Sequence, residues 1–481
     1  MPLDPGDLLL ALTAGLAAAT ASPWLVVVWL TYVLILAAWI LRQRREPVAT
    51  LAWLLVLAWL PVIGWAVYWW LGPQRIRRRL LRRSRARLAL AGAALPPCGE
   101  TAEWGAERLV EATTGFAPTR ASRLELLSSG ESTYAALFGA IAEAQSAVHL
   151  EYYIFEPDGV GTRLRDLLIA RARAGVEVRL LLDGLGSRRC SPRFLAPLRA
   201  AGAEVGWFHP LTWGHMLWRP TLNLRTHRKI AVIDGRIGFT GGVNISDTQS
   251  ERASAAAFHD LHLRLEGEAV RALQLVFAED WYYATGRTLV ATRHWPTQPA
   301  GSIRCQLLPS GPDDSQAPLH RLFVEAVHGA RQRVWVMTPY FVPTPPVLLA
   351  LTSAALRGLD VRLLLPARND NQLVRAAARS FYPELLAAGV HIAEFQPRML
   401  HGKALLIDED TTLIGSGNVD PRSFFLNFEL GVLARDEGVA SALAARISAD
   451  LAHARAVDPH WQARGLQAYL DSAARLLTPV L

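Results

Sequence analysis

The sequence predicts an α/β protein built from two duplicated halves behind an N-terminal α-helical transmembrane anchor. Three observations predict it. From residue 120 onward, short apolar runs alternate with amphipathic helical patterns. One charged motif occurs twice, with every member displaced by the same offset. Residues 8–41 carry no charged side chain.

The anchor comes first. "PWLVVVWLTYVLILAAWIL" is long enough to cross about 30 Å of hydrocarbon. The basic stretch "RQRREP" follows, then a second apolar stretch, 48–71, interrupted by Pro61 and Gly64. That second stretch reads as a kinked span or a re-entrant arm. The first can also be divided into two shorter segments, 8–21 and 24–41. A cleaved signal peptide does not fit, because Asp4 and Asp7 stand where a basic n-region is required. After the second stretch come Arg75, Arg77, Arg78, Arg79, Arg82, Arg83, Arg85 and Arg87. Such a block belongs on the cytoplasmic side, against anionic lipid at roughly 1 kcal/mol per residue. It outweighs Arg42, Arg44 and Arg45 between the spans, so residues 95–481 are expected in the cytoplasm. The formal net charge of +8 resides in this region: residues 1–94 hold eleven Arg against Asp4, Asp7 and Glu46. The remaining basic and acidic residues cancel, which argues against a nucleic-acid groove in the body. Cys98, Cys190 and Cys305 are too widely spaced for a disulfide framework or a metal knuckle.

The body reads as two series. "VHLEYYIF", "VEVRLLLDG" and "AEVGWF" have strand character, with "GTRLRDLLIARARAG" and "SPRFLAPLRAAG" as the helices between them. "RVWVMTPYF", "LDVRLLLPA" and "VHIAEF" repeat the order, separated by "PPVLLALTSAALRG" and "QLVRAAARSFYPELLAAG". This alternation predicts mixed sheets flanked by helices, and the repetition predicts halves that face each other. The expected boundaries are an anchor over 1–72, a basic juxtamembrane linker over 73–119, a first half over 120–295 and a second over 296–481. The first half carries extra residues before its motif, and "WFHPLTWGHMLWRP" (207–220) is the candidate insertion. It is either a covered loop with its own small core or a lip over acyl chains at the membrane surface.

Each series ends in H-x-K-x4-D: His227, Lys229 and Asp234, then His401, Lys403 and Asp408. These six residues form the expected catalytic set. Of the fifty basic residues only Lys229 and Lys403 are lysines. His and Lys two apart on an extended chain share a face, roughly 6–7 Å apart. Imidazole can attack phosphorus or protonate a leaving oxygen, and a compact ammonium suits the non-bridging oxygens better than a planar guanidinium. The aspartates, seven residues after each His, suit a supporting or turn-forming place better than a chemical one. Small residues follow each motif: Gly241, Gly242 and Asn244, then Gly415, Ser416, Gly417 and Asn418. An acid comes next in each half, Asp260 in "FHDLHLRLEG" and Glu429 in "NFELGV". A carboxylate on the far imidazole nitrogen would fix its tautomer. No His spacing suits zinc and no G-x-S-x-G elbow is present, so neither metal nor cofactor is expected.

The paired H-x-K-x4-D motifs with following G-[GS]-x-N resemble the phospholipase D superfamily. The wider text, including "LEYYIFEPDGVG", "NLRTHRKIAVIDG", "TPYFVPT", "MLHGKALLID" and "GSGNVDPRSFFLNFEL", is similar to its bacterial cardiolipin synthases. The resemblance covers nearly the whole chain. It implies two pseudo-symmetric halves with a single site between them and a phosphatidyl-histidine intermediate. It further implies a multi-pass protein of the bacterial inner (plasma) membrane. Lys229, Lys403, Asn244 and Asn418 would hold phosphate oxygens, Ser416 would add a hydroxyl, and Asp260 and Glu429 match the acids that orient the histidines. His227 is expected to attack and His401 to act as acid, partly because Ser416 would give the second set a hydroxyl near the leaving oxygen. Two departures stand out: Gly242 where the second motif has Ser416, and Asn371 of "RNDN" where many relatives carry His.

The expected reaction joins two phosphatidylglycerols into cardiolipin with release of glycerol. The alternatives are hydrolysis by water, transfer to another alcohol such as phosphatidylethanolamine, and a membrane-tethered nuclease. The neutral body and the anchor speak against the nuclease, and two intact motifs speak against a non-catalytic scaffold. Phospholipid substrates and an anionic membrane surface are the expected partners, with no nucleic acid.

Overall fold

A computed structural model describes residues 23–42, 47–60, 64, 65, 68, 99–210 and 223–476. The chain divides into two compact units, Met1–Arg75 and Ile76–Leu481. In the first unit two apolar helices, Pro23–Leu41 and Pro47–Trp59, are described. Ile40 and Leu57 are buried together with Tyr68, whose ring meets Trp39 and Trp53 edge-on. Trp24, Leu34, Ile35, Leu55 and Trp59 stay exposed. Among the described residues no helix is long and apolar enough to cross a membrane, so the expected span is not shown by these helices. The Arg cluster at 75–87 and most of the aromatic insertion, residues 211–222, lie outside the described residues.

The second unit is built on one mixed sheet. The first half supplies β1 (Thr119–Leu127), β2 (Ala147–Tyr152), β3 (Glu177–Asp183), β4 (Glu204–Phe208), β5 (Ile230–Ile233), β6 (Ile237–Gly241) and β7 (His262–Gly267). The second supplies β8 (Ile303–Ser310), β9 (Arg333–Met337), β10 (Asp360–Pro366), β11 (His391–Phe395), β12 (Ala404–Ile407), β13 (Thr411–Gly415), β14 (Glu429–Arg435) and β15 (Ala454–Ala456). From the centre outward the first half runs β1-β7-β6-β5-β2-β3-β4 and the second β8-β14-β13-β12-β9-β10-β11, closed by β15. The two orders are the same once the numbering is shifted, as a duplication requires. Antiparallel pairing of β1 with β8 joins them. The βαβ runs read from the sequence form the parallel strands β2-β3-β4 and β9-β10-β11, as crossover helices dictate. The expected α/β architecture with two halves is thus present.

Strand character follows from Val, Ile and Leu runs between helices capped by Ser, Asp or Asn. Asp158 caps the helix Gly159–Arg173, Ser191 caps Pro192–Ala200 and Asn371 caps Gln372–Arg379. The helix expected over 372–389 is shorter than its sequence pattern, because the chain breaks before Pro383 and restarts as Tyr382–Ala387. One hydrophobic core takes Leu261, Trp281 and Phe277 from the first half and Trp335, Met337 and Phe428 from the second. The halves therefore bury each other, and their facing ends are held in fixed register.

Candidate active site

The motif histidines and lysines precede the strands rather than lie in them. β5 begins at Ile230 and β12 at Ala404, so His227, Lys229, His401 and Lys403 occupy extended lead-in segments. Each lead-in is stitched to the other half. Thr226 bridges Phe428, with His227 N donating to Phe428 O at 2.8 Å. His259 bridges Leu400, with His401 N donating to His259 O at 2.7 Å. In both cases the bridge lies one residue before a His on one strand and one residue before an acid on the other.

This stitching crosses the imidazole–acid pairs between the halves. His227 Nδ1 is 3.0 Å from Glu429 Oε2 of the second half. His401 Nδ1 is 2.5 Å from Asp260 Oδ2 of the first. Each carboxylate fixes a proton on Nδ1 and leaves Nε2 free to act. Both acids are buried. Burial works against their charge, but Lys403 and His401 hold Asp260 down at about 2, and His227, Lys229 and Ser416 hold Glu429 down at about 2. Burial in turn pushes His227 down to about 4, opposed by Glu429 and helped by Lys229 and Lys403. It also lowers His401, where Lys403 adds to burial and Asp260 opposes.

The two lysines are buried, and each leans on its own histidine. Lys229 Nζ donates to His227 O at 2.7 Å, and Lys403 Nζ donates to the His401 carbonyl. Burial drops the Lys229 ammonium to about 7 and lowers that of Lys403. Among the described residues no carboxylate lies within ion-pair distance of either ammonium. An ammonium has three donors, so each has hydrogen-bonding capacity left for an anion.

The aspartates of the motifs are not at the imidazoles. Asp234 Oδ1 and Oδ2 accept from the backbone N–H groups of Gln145, Ser146 and Ala147 at 2.7–2.8 Å. Asp408 does the same for Arg331, Gln332 and Arg333 at 2.7–3.1 Å. Both adopt positive φ, 53° and 51°. They clamp the starts of β2 and β9 to the turns after β5 and β12, which corrects their place in the catalytic set: they are structural, as turn-forming residues are.

Ser416 also sits elsewhere than expected. Its Oγ donates to Glu429 Oε2 at 2.5 Å and accepts from Leu430 N at 3.0 Å. It therefore supports the acid of His227 and does not give His401 a hydroxyl. Gly242 explains the other half: a Cβ there would lie 2.0 Å from Asp260 Oδ1, so only glycine admits the carboxylate. Asn244 Oδ1 accepts from Ile154 N at 3.2 Å, whereas Asn418 Oδ1 is buried and has no hydrogen-bond partner among the described residues. Asn371 spends its side chain capping Leu373 N and Val374 N.

Several contributors escaped sequence reasoning. The Tyr153 ring stands edge-on to His227 at 5.1 Å, with Lys229 Nζ 5.5 Å from its centre. Asn427 Nδ2 donates to Glu429 Oε1 at 3.2 Å. Arg228, between His227 and Lys229 in the motif, is buried. Its Nε donates to Glu429 O at 3.0 Å and its Nη1 pairs with Asp280. The only signal was a third basic residue inside an apolar motif. Asp183 and Asp420 shape the neighbouring loops, and burial pushes both up to about 6.

Comparison with known proteins agrees with this geometry. The family model described as cardiolipin synthase, PLD-like domain, matches residues 137–281 and 323–451. A cardiolipin synthase of Geobacillus sp. (strain WCH70) is 37% identical over 457 residues, covering 91% of this chain and 90% of that protein. Cardiolipin synthase A of Pseudomonas aeruginosa (strain LESB58) is 41% identical over 368 residues, 76% of this chain and 74% of that protein. Among solved structures, a phosphatidylserine synthase from Haemophilus influenzae Rd KW20 superposes with a TM-score of 0.60 at 14% identity. The match covers 83% of this chain and all of that one, a likeness of fold.

Proposed function

The chain belongs to the cardiolipin synthase family of phospholipase D-like proteins, and from that membership and the site we propose that it joins two phosphatidylglycerols into cardiolipin. It is a phosphatidyltransferase of the phospholipase D type. The observation that carries the reading is the crossed pair of imidazole–carboxylate dyads flanked by two buried ammonium groups. That arrangement offers a nucleophile, an acid and positive charge to one phosphodiester.

In the first step Nε2 of neutral His227 attacks phosphorus. The P–N bond forms as the P–O bond to glycerol breaks, and His401 passes its proton to the departing oxygen. In the second step His401 takes the proton from a hydroxyl of the second phosphatidylglycerol. That oxygen bonds to phosphorus as the P–N bond breaks. Lys229 and Lys403 balance the charge on the non-bridging oxygens throughout, with Asn418 as a further ligand. The assignment of roles is supported by the acids. Asp260 lies closer to His401 than Glu429 lies to His227, so an imidazolium at His401 has the nearer carboxylate to offset the lowering by burial and Lys403. Glu429 divides its charge among His227, Ser416 and Asn427. Purified protein given phosphatidylglycerol vesicles should release glycerol and cardiolipin in equal amounts; phosphatidic acid as the main product would mean hydrolysis instead.

The N-terminal unit is proposed to anchor the catalytic unit to the inner membrane, with residues 95–481 in the cytoplasm. The charge-free residues 8–41, the exposed Trp and Leu side chains of the first unit and the Arg cluster at 75–87 support this. Reporter fusions at residue 300 should be active only in the cytoplasm, and a periplasmic signal there would reverse the orientation.

A further inference from the structure

Away from the crossed dyads, three potential metal ligands from separate segments of the first half meet in its interior. His149 is on β2, Glu177 opens β3, and His294 ends the short turn Thr292–His294 in the connection toward the second half. β2 and β3 are parallel neighbours, with Ala147 opposite Glu177 and His149 opposite Arg179. The His149 and Glu177 side chains therefore emerge on one face. A ligand atom from each of the three residues lies within 4.8 Å of the other two. Glu177 Oε1 is 3.8 Å from His149 Nε2 and 3.2 Å from His294 Nε2. Two ligands on a tetrahedral zinc, each about 2.0–2.1 Å from the ion, stand about 3.3 Å apart.

The hydrogen bonding of these groups is what a simple ion-pair cluster leaves unexplained. Both imidazoles are almost fully buried, at 1% and 2% exposure. Among the described residues His149 Nε2 and both nitrogens of His294 have no well-directed hydrogen-bond partner, although Glu177 Oε1 lies within ion-pair distance of both rings. Buried polar atoms without partners are rare and costly. His149 Nδ1 is 3.0 Å from Gln274 Oε1. With that oxygen accepting, the proton sits on Nδ1 and the Nε2 lone pair faces the cluster, which is how metal-bound histidines are commonly held. Phe277 stacks on the His149 ring at 5.1 Å and keeps it in place.

The carboxylate is likewise oriented from outside. Arg293 pairs with Glu177 Oε2. Arg179 Nη1 lies 2.5 Å from Oε1 and competes for the ligand position. It has a second carboxylate within reach, Glu204 at 3.6 Å, and the Trp281 ring at 5.7 Å. Arg179 can therefore turn aside without losing every partner.

We propose that His149, Glu177 and His294 form a binding site for a borderline divalent cation of the zinc type, which clips the connecting segment to the first-half sheet. Two imidazoles and one carboxylate select such an ion over magnesium or calcium, which prefer all-oxygen shells. The clipped segment also buries Leu289 and Trp295 in the core, and Gln298 Nε2 donates to Gly235 O at 3.0 Å. Gly235 passes beneath it so closely that a Cβ there would lie 2.7 Å from His294 O and 2.6 Å from Pro296 Cδ. The cation takes no part in phosphoryl transfer; its place is structural.

The test uses full-length protein, purified in detergent and stripped of metal, with zinc alone as the probe. Competition against a chromophoric chelator and elemental analysis should show one zinc per chain, accompanied by a higher melting temperature. Glu177→Gln and His294→Gln should each weaken binding by on the order of 100-fold, with circular dichroism confirming that they remain folded. His401→Ala should bind zinc as the parent does. Absence of stoichiometric uptake by the parent, meaning that His294 simply pairs with Glu177, would overturn the proposal. So would uptake that survives Glu177→Gln and His294→Gln, or uptake that disappears with His401→Ala.

Discussion

The two halves of the catalytic unit carry the same motif and the same strand order, yet their dyads are supported differently. Around His227 the carboxylate is Glu429, which also takes the hydroxyl of Ser416 and the amide of Asn427. Around His401 the carboxylate is Asp260, which has its own backbone N–H of Leu261 at 2.8 Å and a glycine in place of the serine. A longer acid on one side reaches its imidazole with help from a hydroxyl. A shorter acid on the other reaches it because a side chain has been removed from its path. The duplication thus preserves the dyad while changing what holds it, and that leaves room for one histidine to attack and the other to donate.

The sharpest way to break this comparison is to remove each histidine. His227→Ala and His401→Ala should each cut transfer by at least about 10²–10⁴-fold, the contribution of a positioned acid, base or nucleophile. They should separate on a nitrophenyl phosphodiester lipid, whose leaving group needs no proton. There His401→Ala should accumulate a phosphatidyl adduct, for lack of a base to activate the acceptor, and His227→Ala should form none. Peptide mapping that finds the label on His401 in the His227→Ala protein would exchange the two roles.

A smaller effect tests the supports. Ser416→Ala removes a hydrogen bond to a charged acceptor, worth about 1.5–3 kcal/mol, so kcat should fall roughly 10–100-fold through His227. Gly242→Ala forces Asp260 aside and should act through His401. If the roles are as proposed, the nitrophenyl lipid should rescue adduct formation in Gly242→Ala and not in Ser416→Ala. Equal behaviour of the two variants would mean that the halves are not functionally distinct.

The smallest effect is on stability. Burial holds Lys229 at about 7 when folded, while an unfolded lysine keeps its proton to about 10.4. Between those values the unfolded chain binds more protons, so stability climbs with rising pH. Lys229→Met should abolish transfer and stabilise the fold by about 1–2 kcal/mol near pH 7, a gain that shrinks toward pH 10. Thermal melts across that range measure it. A gain that grows with pH would mean that Lys229 is stabilised by its neighbours rather than strained by burial.

Much of this was legible in the residues themselves. Period-two and helical patterns are local, and they marked the βαβ strands and their helices. The doubled H-x-K-x4-D, with the only two lysines of the chain, marked the reacting groups, because an ammonium is needed where a guanidinium will not fit. The aspartates at the end of each motif are expected in the catalytic set although their position suits a turn, and the geometry at Asp234 and Asp408 shows the turn: each clamps three backbone N–H groups at the start of the neighbouring strand, β2 or β9.

Other features were decided only by the tertiary structure. Asp260 and Glu429 stand at similar distances after the two motifs, and nothing local says that each serves the imidazole of the other half. The cross-half bridges Thr226–Phe428 and His259–Leu400 decide it, because a strand lead-in delivers its side chain to whatever segment it is paired with. Ser416 was misplaced for the same reason, since its neighbour in space is Glu429 and not the leaving oxygen. His149, Glu177 and His294 share no spacing rule, for they come from two strands and a distant turn. A sequence pattern records which residues repeat along one chain, whereas hydrogen bonds form between atoms that packing brings within about 3 Å, wherever along the chain they lie.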